Sequence, residues 1–326
     1  MKSLNNKWIP LFFEKELTDK PLKKILNGIE LVFVKLDNKI SCFEDRCPHR
    51  NVPLSNGKVI NKNLQCNYHG WEFNNNGECE KIIGCEGCSK KENISLKKYN
   101  VIINNGLVYV NINGENKFEN YFNNDEDFDS KIYIKSLKSD YVHTIENFLD
   151  ATHTSFIHKG LLRSDGEQIM DIEQVLLDDN VVSTYNLKNK QNGIINKLFD
   201  SGIDKNIVTF NNSGFAKIEY LKDGKKLFQV SIFFVPISKG VVNMVTQVSI
   251  IKDKIPSLLK FILLRPFMEL AFYQDKKILE SQYIQNKEYN KEYKIVKSDV
   301  MINYILYLLG VTKNKPPLNN SIRIKL

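Results

Sequence analysis

Cys47-Pro48-His49-Arg50 and, after sixteen intervening residues counted from His49, Cys66-Asn67-Tyr68-His69-Gly70-Trp71 decide how this chain is read. Each stretch offers one thiolate and one imidazole, two residues apart in the first and three in the second. A structural zinc ion takes the same ligand types, and so does a two-iron cluster whose cysteines hold one iron and whose histidines hold the other. Zinc sites usually pair cysteine with cysteine and histidine with histidine at short spacing. The mixed Cys–His pairs therefore favour the iron–sulfur reading.

The chain around them has 326 residues, enough for two domains and a core that encloses a ligand. Its formal net charge of +8, from 46 Lys+Arg against 38 Asp+Glu, is spread along the sequence. No basic run interleaved with aromatics occurs, which argues against nucleic-acid binding. A mild basic bias still suits an acidic electron donor. Residues 1–10 carry no signal-peptide pattern. The apolar stretches 255–273 and 301–309 fail as membrane spans, the first broken by Lys260, Arg265 and Pro266, the second too short. A cytoplasmic location is the expectation, and there Cys42, Cys79, Cys85 and Cys88 read as free thiols, although the Cys85-Glu86-Gly87-Cys88 pair has the spacing to bind metal or cycle as a redox disulfide.

Residues 30–35, 40–43, 71–73, 101–103 and 107–112 read as short strands between turns rich in Asn, Asp and Gly. The acidic stretch 114–130 loses the apolar period, which places a domain break near Gly114, with domains at 1–114 and 115–326. Beyond it come a strand at 131–139, a helix at 144–157, strands at 173–185, 207–210, 214–221, 226–236 and 241–252, and a helical region at 255–286. Pro266 predicts a kink or restart in that helix.

The segment 146–158 carries Asn147, Asp150, His153 and His158. Asn147, Asp150 and His153 are spaced by three and can touch along a helix. His153 and His158 are five apart, which on an ideal helix turns them by about 140°, so the helix must distort or end near Phe156 for the two to converge. The chain has five histidines, and four lie in these motifs, leaving His143 as an ordinary structural residue.

Taken together, the motifs resemble the Rieske non-haem iron oxygenases, the α-subunit family of the ring-hydroxylating oxygenases, in its homotrimeric monooxygenase and demethylase branch. Val52 and Tyr68 stand where respiratory Rieske proteins have bracing cysteines, which separates this chain from those. The resemblance implies an α+β chain: an N-terminal antiparallel β Rieske domain, then a helix-grip, START-like catalytic domain with a curved antiparallel sheet and long helices. It implies that Cys47, His49, Cys66 and His69 hold a 2Fe-2S cluster. His153, His158 and Asp275 would hold a mononuclear Fe(II), with Glu280 the fallback carboxylate. Asp275 is preceded by Gln274, where the family often has Glu. Asp150 would link His153 to His69 of a neighbouring subunit, with Asn147 beside the iron.

The implied reaction uses O2 and electrons from NAD(P)H, delivered by a ferredoxin or flavin reductase, to hydroxylate or oxidatively demethylate a partly apolar small molecule. Phe210, Phe215, Phe233, Met244 and residues 267–273 are the expected pocket walls. The alternatives are a cis-dihydroxylating arene dioxygenase and a Rieske electron carrier without oxygenase activity.

Overall fold

The structure, a computed structural model, describes residues 4, 6–85, 87–88, 93–114, 117–123, 125–161, 169–188, 202–289 and 293–326. Residue 115, where the second domain is expected to begin, lies outside them, as do Glu86 of the cysteine pair and Asn124 of the acidic run. The chain separates into two compact units, residues up to 120 with 235–239, and 121–234 with 240–326.

The first unit holds β1 (Ile9–Phe13), β2 (Leu22–Leu26), β3 (Ile29–Leu36), β4 (Lys39–Glu44), β5 (Lys58–Ile60), β6 (Asn63–Gln65), β7 (Glu72–Phe73), β8 (Cys79–Lys81), β9 (Lys98–Asn104) and β10 (Leu107–Asn111). They form a six-stranded sheet in the order β1-β10-β9-β4-β3-β2 and a four-stranded sheet β5-β6-β7-β8. Two-residue hairpin loops need positive φ at both central positions, and the sequence supplies residues that tolerate it. Asn27 and Gly28 (φ 50° and 80°), Asp37 and Asn38 (51° and 61°), and Asn105 and Gly106 (50° and 70°) close three hairpins this way. Val32, Val34, Phe43, Leu54, Leu64 and Phe73 pack around Cys47 and Cys66, so the two cysteines belong to the core of this unit.

The second unit contains β11 (Phe128–Leu137), α1 (Tyr141–Leu149), α2 (Thr154–Ile157), β12 (Ile169–Leu176), β13 (Asn180–Leu187), β14 (Lys205–Asn211), β15 (Phe215–Lys222), β16 (Lys225–Ser238), β17 (Val241–Ile251), α3 (Ser257–Tyr289), α4 (Ile302–Leu308) and β18 (Asn319–Lys325). Its eight strands run β11-β17-β16-β15-β14-β13-β12-β18, a meander in chain order from β12 to β17 with β11 and β18 added at the edges. Helix α3 lies on this curved sheet through Phe261 and Leu264, which pack with Val248 and Ile250, and Met268, Tyr133 and Phe228 pack against that cluster. That is the helix-on-sheet arrangement expected from sequence, and it seats Asp275 of α3 in the interior.

Several local expectations change. The helix expected at 144–157 is two helices, because Asp150 adopts an extended conformation (φ −77°, ψ 120°) at the end of α1. Its carboxylate then accepts the N–H groups of Thr152 at 2.8 Å and His153 at 3.1 Å, replacing the helical partners that those groups would otherwise have. The stretch 173–185 is a hairpin of β12 and β13 rather than one strand. Among the described residues there is one long helix, not several, and it runs unbroken through Pro266. Pro266 and Ile262 are exposed, so the carbonyl that the proline leaves unpaired can meet water. β18 has no counterpart in the sequence reading and pairs with β12.

Candidate metal centres

The two ligand loops of the first unit share one hydrogen-bonding plan. Cys47 N–H donates to the Val52 carbonyl and Cys66 N–H to the Trp71 carbonyl, both at 2.9 Å, while Asn51 and Gly70 N–H groups return to the Cys47 and Cys66 carbonyls at 2.9 and 3.1 Å. The returning residue is left-handed in both loops, Asn51 at φ 60° and Gly70 at φ 69°. Asparagine and glycine are the residues that take this conformation readily. At Gly70 a side chain would also crowd Ile83, whose Cγ1 lies 2.9 Å from the position of a Cβ.

His49 stacks on Trp71 (4.5 Å between ring centroids, 6° between planes) and meets His69 edge-on at 4.5 Å. The Nδ1 of His49 is buried and has no hydrogen-bond partner. Burial, with the neighbouring Cys66 thiol contributing, pushes the Cys47 thiol up to about 11. A buried, unpaired imidazole nitrogen and a Cys47 thiol that resists ionisation alone suit a bound cation, so these residues fit an iron–sulfur cluster. Cys85 and Cys88, read as free thiols from sequence, are joined as a disulfide. The turn through Gly87 (φ 77°) brings their Cα atoms to 5.6 Å.

In the second unit His153 begins α2, His158 ends it, and Asp275 faces them from α3, with donor atoms of the three within 4.8 Å of one another. His158 is 2% exposed and Asp275 4%. The His158 Nε2 lies 3.1 Å, and the His153 Nε2 3.5 Å, from Asp275 Oδ1. Gln274 Oε1 sits 2.9 Å from His158 Nδ1. That oxygen can only accept, so it takes the Nδ1 proton and turns the Nε2 edge of the ring toward the carboxylate oxygen. Two ligands about 2.1 Å from one metal ion and at right angles sit about 3 Å apart, the spacing found here. Two imidazoles and one carboxylate, with other positions left open, fit a non-haem Fe(II).

The neighbours fix this arrangement. Asn147 Nδ2 donates to Asp275 Oδ1 at 3.0 Å. Burial works against the Asp275 charge, but hydrogen bonds from His153, His158 and Asn147 outweigh it and hold the carboxyl below its usual range. Burial likewise opposes charge on His153, and Asp150 and Asp275 reverse that and raise it. Asp150 Oδ2 lies 3.6 Å from His153 Nδ1. Burial opposes its charge too, yet His153 and Thr152 keep the carboxyl below its ordinary value.

The fallback carboxylate Glu280 lies elsewhere, accepting the Lys138 N–H at 3.3 Å. His143 is buried against Tyr293. Sequence reading missed the orienting role of Gln274, which registers there only as a departure from a family pattern. It also missed Glu146, whose carboxyl is pushed up to about 7 by burial, with Asp150 and Asp299 adding to the effect.

A cavity of about 270 Å³ opens beside the triad and is lined by His153, His158 and Asp275 together with mainly apolar side chains. Met244, Met268 and Phe272 line it as expected. Phe210 and Phe233 do not: both are fully buried in the core. Phe215 packs instead on Tyr121 and Phe122.

A Rieske module preceding a two-histidine, one-carboxylate site defines a class of oxygenase component, and the comparisons place the chain in it. Residues 7–100 match the Rieske [2Fe-2S] domain, and residues 137–302, half of the chain, match the vanillate O-demethylase oxygenase C-terminal domain. The chain belongs to the Rieske non-haem iron oxygenase family.

Among curated proteins it is 31% identical over 162 residues to the chloroplastic protein TIC 55 of Pisum sativum, covering 46% of this chain and 29% of that protein. It is 30% identical over 146 residues to the methylxanthine N1-demethylase NdmA of Pseudomonas putida, covering 43% and 41%. The dicamba O-demethylase oxygenase component of Stenotrophomonas maltophilia is 22% identical over 227 residues, covering 67% and 66%. The matches thus span well under half of the first relatives' own lengths. The fold is that of dicamba monooxygenase (TM-score 0.76, 16% identity, 94% of this chain and 97% of that one) and of Pseudomonas putida NdmA with caffeine (0.75, 21%, 94% and 90%). Among the described residues no helix is long and apolar enough to cross a membrane.

Two outcomes follow from this geometry. Replacing Gln274 with Leu frees the His158 ring, and iron titration of the metal-stripped protein is expected to show about 10- to 100-fold weaker binding at the triad, with Gln274→Glu close to wild type. Unchanged affinity in the leucine variant would contradict the orienting role. Glu146, raised from 4.5 to about 7, binds more protons folded than unfolded across that interval, so its contribution to stability is lost as pH rises through it. Glu146→Gln is expected to be more stable than wild type by about 1–2 kcal/mol at pH 8, allowing for its partial exposure, and by much less at pH 5. Unfolding curves at the two pH values check this, and a gap independent of pH would refute it.

Proposed function

We propose that this chain is the oxygenase component of a Rieske monooxygenase. It uses O2, and electrons from NAD(P)H relayed by a reductase or ferredoxin, to hydroxylate or oxidatively demethylate a partly apolar small molecule. The observation that carries the reading is the placement of His153, His158 and Asp275 on the wall of an apolar cavity. In this reading Cys47, His49, Cys66 and His69 hold the 2Fe-2S cluster and the triad holds Fe(II), within domains of 1–114 and 115–326. The family resemblance and the demethylase relatives NdmA and dicamba O-demethylase support it.

A ferrous ion held at such a site supplies open coordination positions for dioxygen next to bound substrate. The chain's own residues do the rest. Gln274 keeps the His158 proton on Nδ1, so that Nε2 stays available as a donor. Asn147 holds Asp275 Oδ1 in place through its amide N–H. Asp150 is anchored by the Thr152 hydroxyl and by two backbone N–H groups, and so presents a fixed carboxylate to His153 Nδ1. In a homotrimer the same carboxylate is the proposed contact to the partner subunit's His69. The apolar cavity walls keep water away from the reacting face of the substrate.

The test is a single turnover of reduced, iron-loaded protein with isotopically heavy dioxygen in a metabolite extract, read by untargeted mass spectrometry. One heavy oxygen in a new product, or loss of a methyl group, is the expected result. Two heavy oxygens would move the protein to the cis-dihydroxylating dioxygenases. A reoxidised cluster with no product from any extract would favour the electron-carrier alternative.

A further inference from the structure

The face of the sheet beside the triad is mainly apolar, and among the described residues that line the cavity Asn206 is the one buried amide on it. On β14 the buried positions alternate as Asn206, Val208 and Phe210. An asparagine therefore occupies an inward position that the strand's period assigns to an apolar residue. Asn206 is 7% exposed, and its Oδ1 is fully buried without a hydrogen-bond partner. It lines the same cavity as His153, His158 and Asp275.

Its register places it between two further polar groups. Asn206 pairs with Tyr185 on β13 and with Tyr220 on β15, and both tyrosines also line the cavity. A row of three hydrogen-bonding side chains thus crosses three adjacent strands. Around it, Val208, Ile218, Val230 and Ile232 supply an apolar wall. Of the other charged groups on the lining, Lys135 and Glu269 satisfy each other at 2.7 Å and stay partly in water, and Arg265 is exposed. A buried amide oxygen with no partner destabilises the fold compared with an apolar residue at the same place, so an asparagine at this inward position of the cavity wall points to a ligand.

We propose that Asn206 reads the substrate: its Oδ1 accepts a hydrogen bond from an N–H or O–H on an otherwise apolar ring compound and so orients that compound in the cavity toward the triad. This rests on the oxygenase reading and adds the substrate's chemical class to it. The volume, about 270 Å³, lies just below the usual range for small-ligand pockets, which limits the occupant to one or two fused rings. A neutral amide discriminates by the partner it leaves unpaired. A ring with a donor is held well, and the same ring without one is disfavoured because it buries Oδ1 with nothing to bond.

The experiment uses two matched probes, indole, which carries an N–H, and benzothiophene, which does not. Binding to the iron-loaded holoprotein is measured by calorimetry without oxygen, so nothing depends on turnover. Wild type is expected to prefer indole by about tenfold or more, the effect of one hydrogen bond to an otherwise unpaired buried group. In Asn206→Leu the preference is expected to fall to within about twofold, while Asn206→Asp, which keeps an acceptor oxygen, retains it. The same holoprotein samples are checked for iron content and cluster absorbance, which a role at this wall leaves unchanged. Equal binding of the two probes by wild type, at any strength or none, overturns the proposal, and so does an undiminished preference in the leucine variant. Neither result bears on whether the chain is an oxygenase, which the heavy-oxygen turnover decides separately.

Discussion

A buried carboxylate oxygen that faces two imidazole nitrogens at 3.1 and 3.5 Å must be met by hydrogen-bond donors or by positive charge beside it. The second unit is organised around that demand. The sheet and α3 carry Asp275 into the interior, and α1 ends early so that His153 and His158 can approach it from a separate short helix. The cost of burying the carboxylate is offset by Asn147 on one side and the imidazoles on the other. A metal ion would complete the arrangement, and the Asp150 and Asp275 carboxylates favour a proton on His153.

The first unit meets a similar constraint by other means. Its cysteines are part of the apolar core, where burial makes the Cys47 thiol resist ionisation, and each is held by a five-residue loop with a left-handed return. The core makes the loops stiff, and the stiffness fixes where four soft ligands point. His49 is clamped against Trp71, whereas His69 is exposed to solvent, so the two histidines differ in what can reach them. An exposed imidazole is the face through which such a cluster can meet an outside group.

Much of this was legible in the sequence, for identifiable reasons. Paired Cys–His spacing is rare outside metal sites, and two-residue loops such as Asn27-Gly28 and Asn105-Gly106 announce hairpins because few other residues accept their backbone angles. The convergence of His153 and His158 was readable as a need for a helix distortion. The end just past Phe156 was expected, but the earlier break was not, since that depends on Asp150 folding back onto Thr152 and His153. Phe210 and Phe233 looked like cavity walls because aromatic composition does not reveal which side chains face a cavity and which fill the core. Gln274 and Asn206 escaped for a related reason. A polar residue shows its purpose only through its surroundings, and those are a histidine ring 116 residues away for Gln274 and the cavity wall for Asn206. The alternation in β14 did hold a signal for Asn206, a polar residue at an inward position, but reading it required the strand's facing.

The most direct test of the account is the ratio of iron to acid-labile sulfide in the purified, iron-loaded protein and in Asp275→Ala. A chain with both centres is predicted to hold about three irons for two sulfides, falling to about two for two in the variant while the cluster spectrum persists. Two irons for two sulfides in the wild type, or a ratio that the substitution leaves untouched, would contradict the claim that His153, His158 and Asp275 form a metal site.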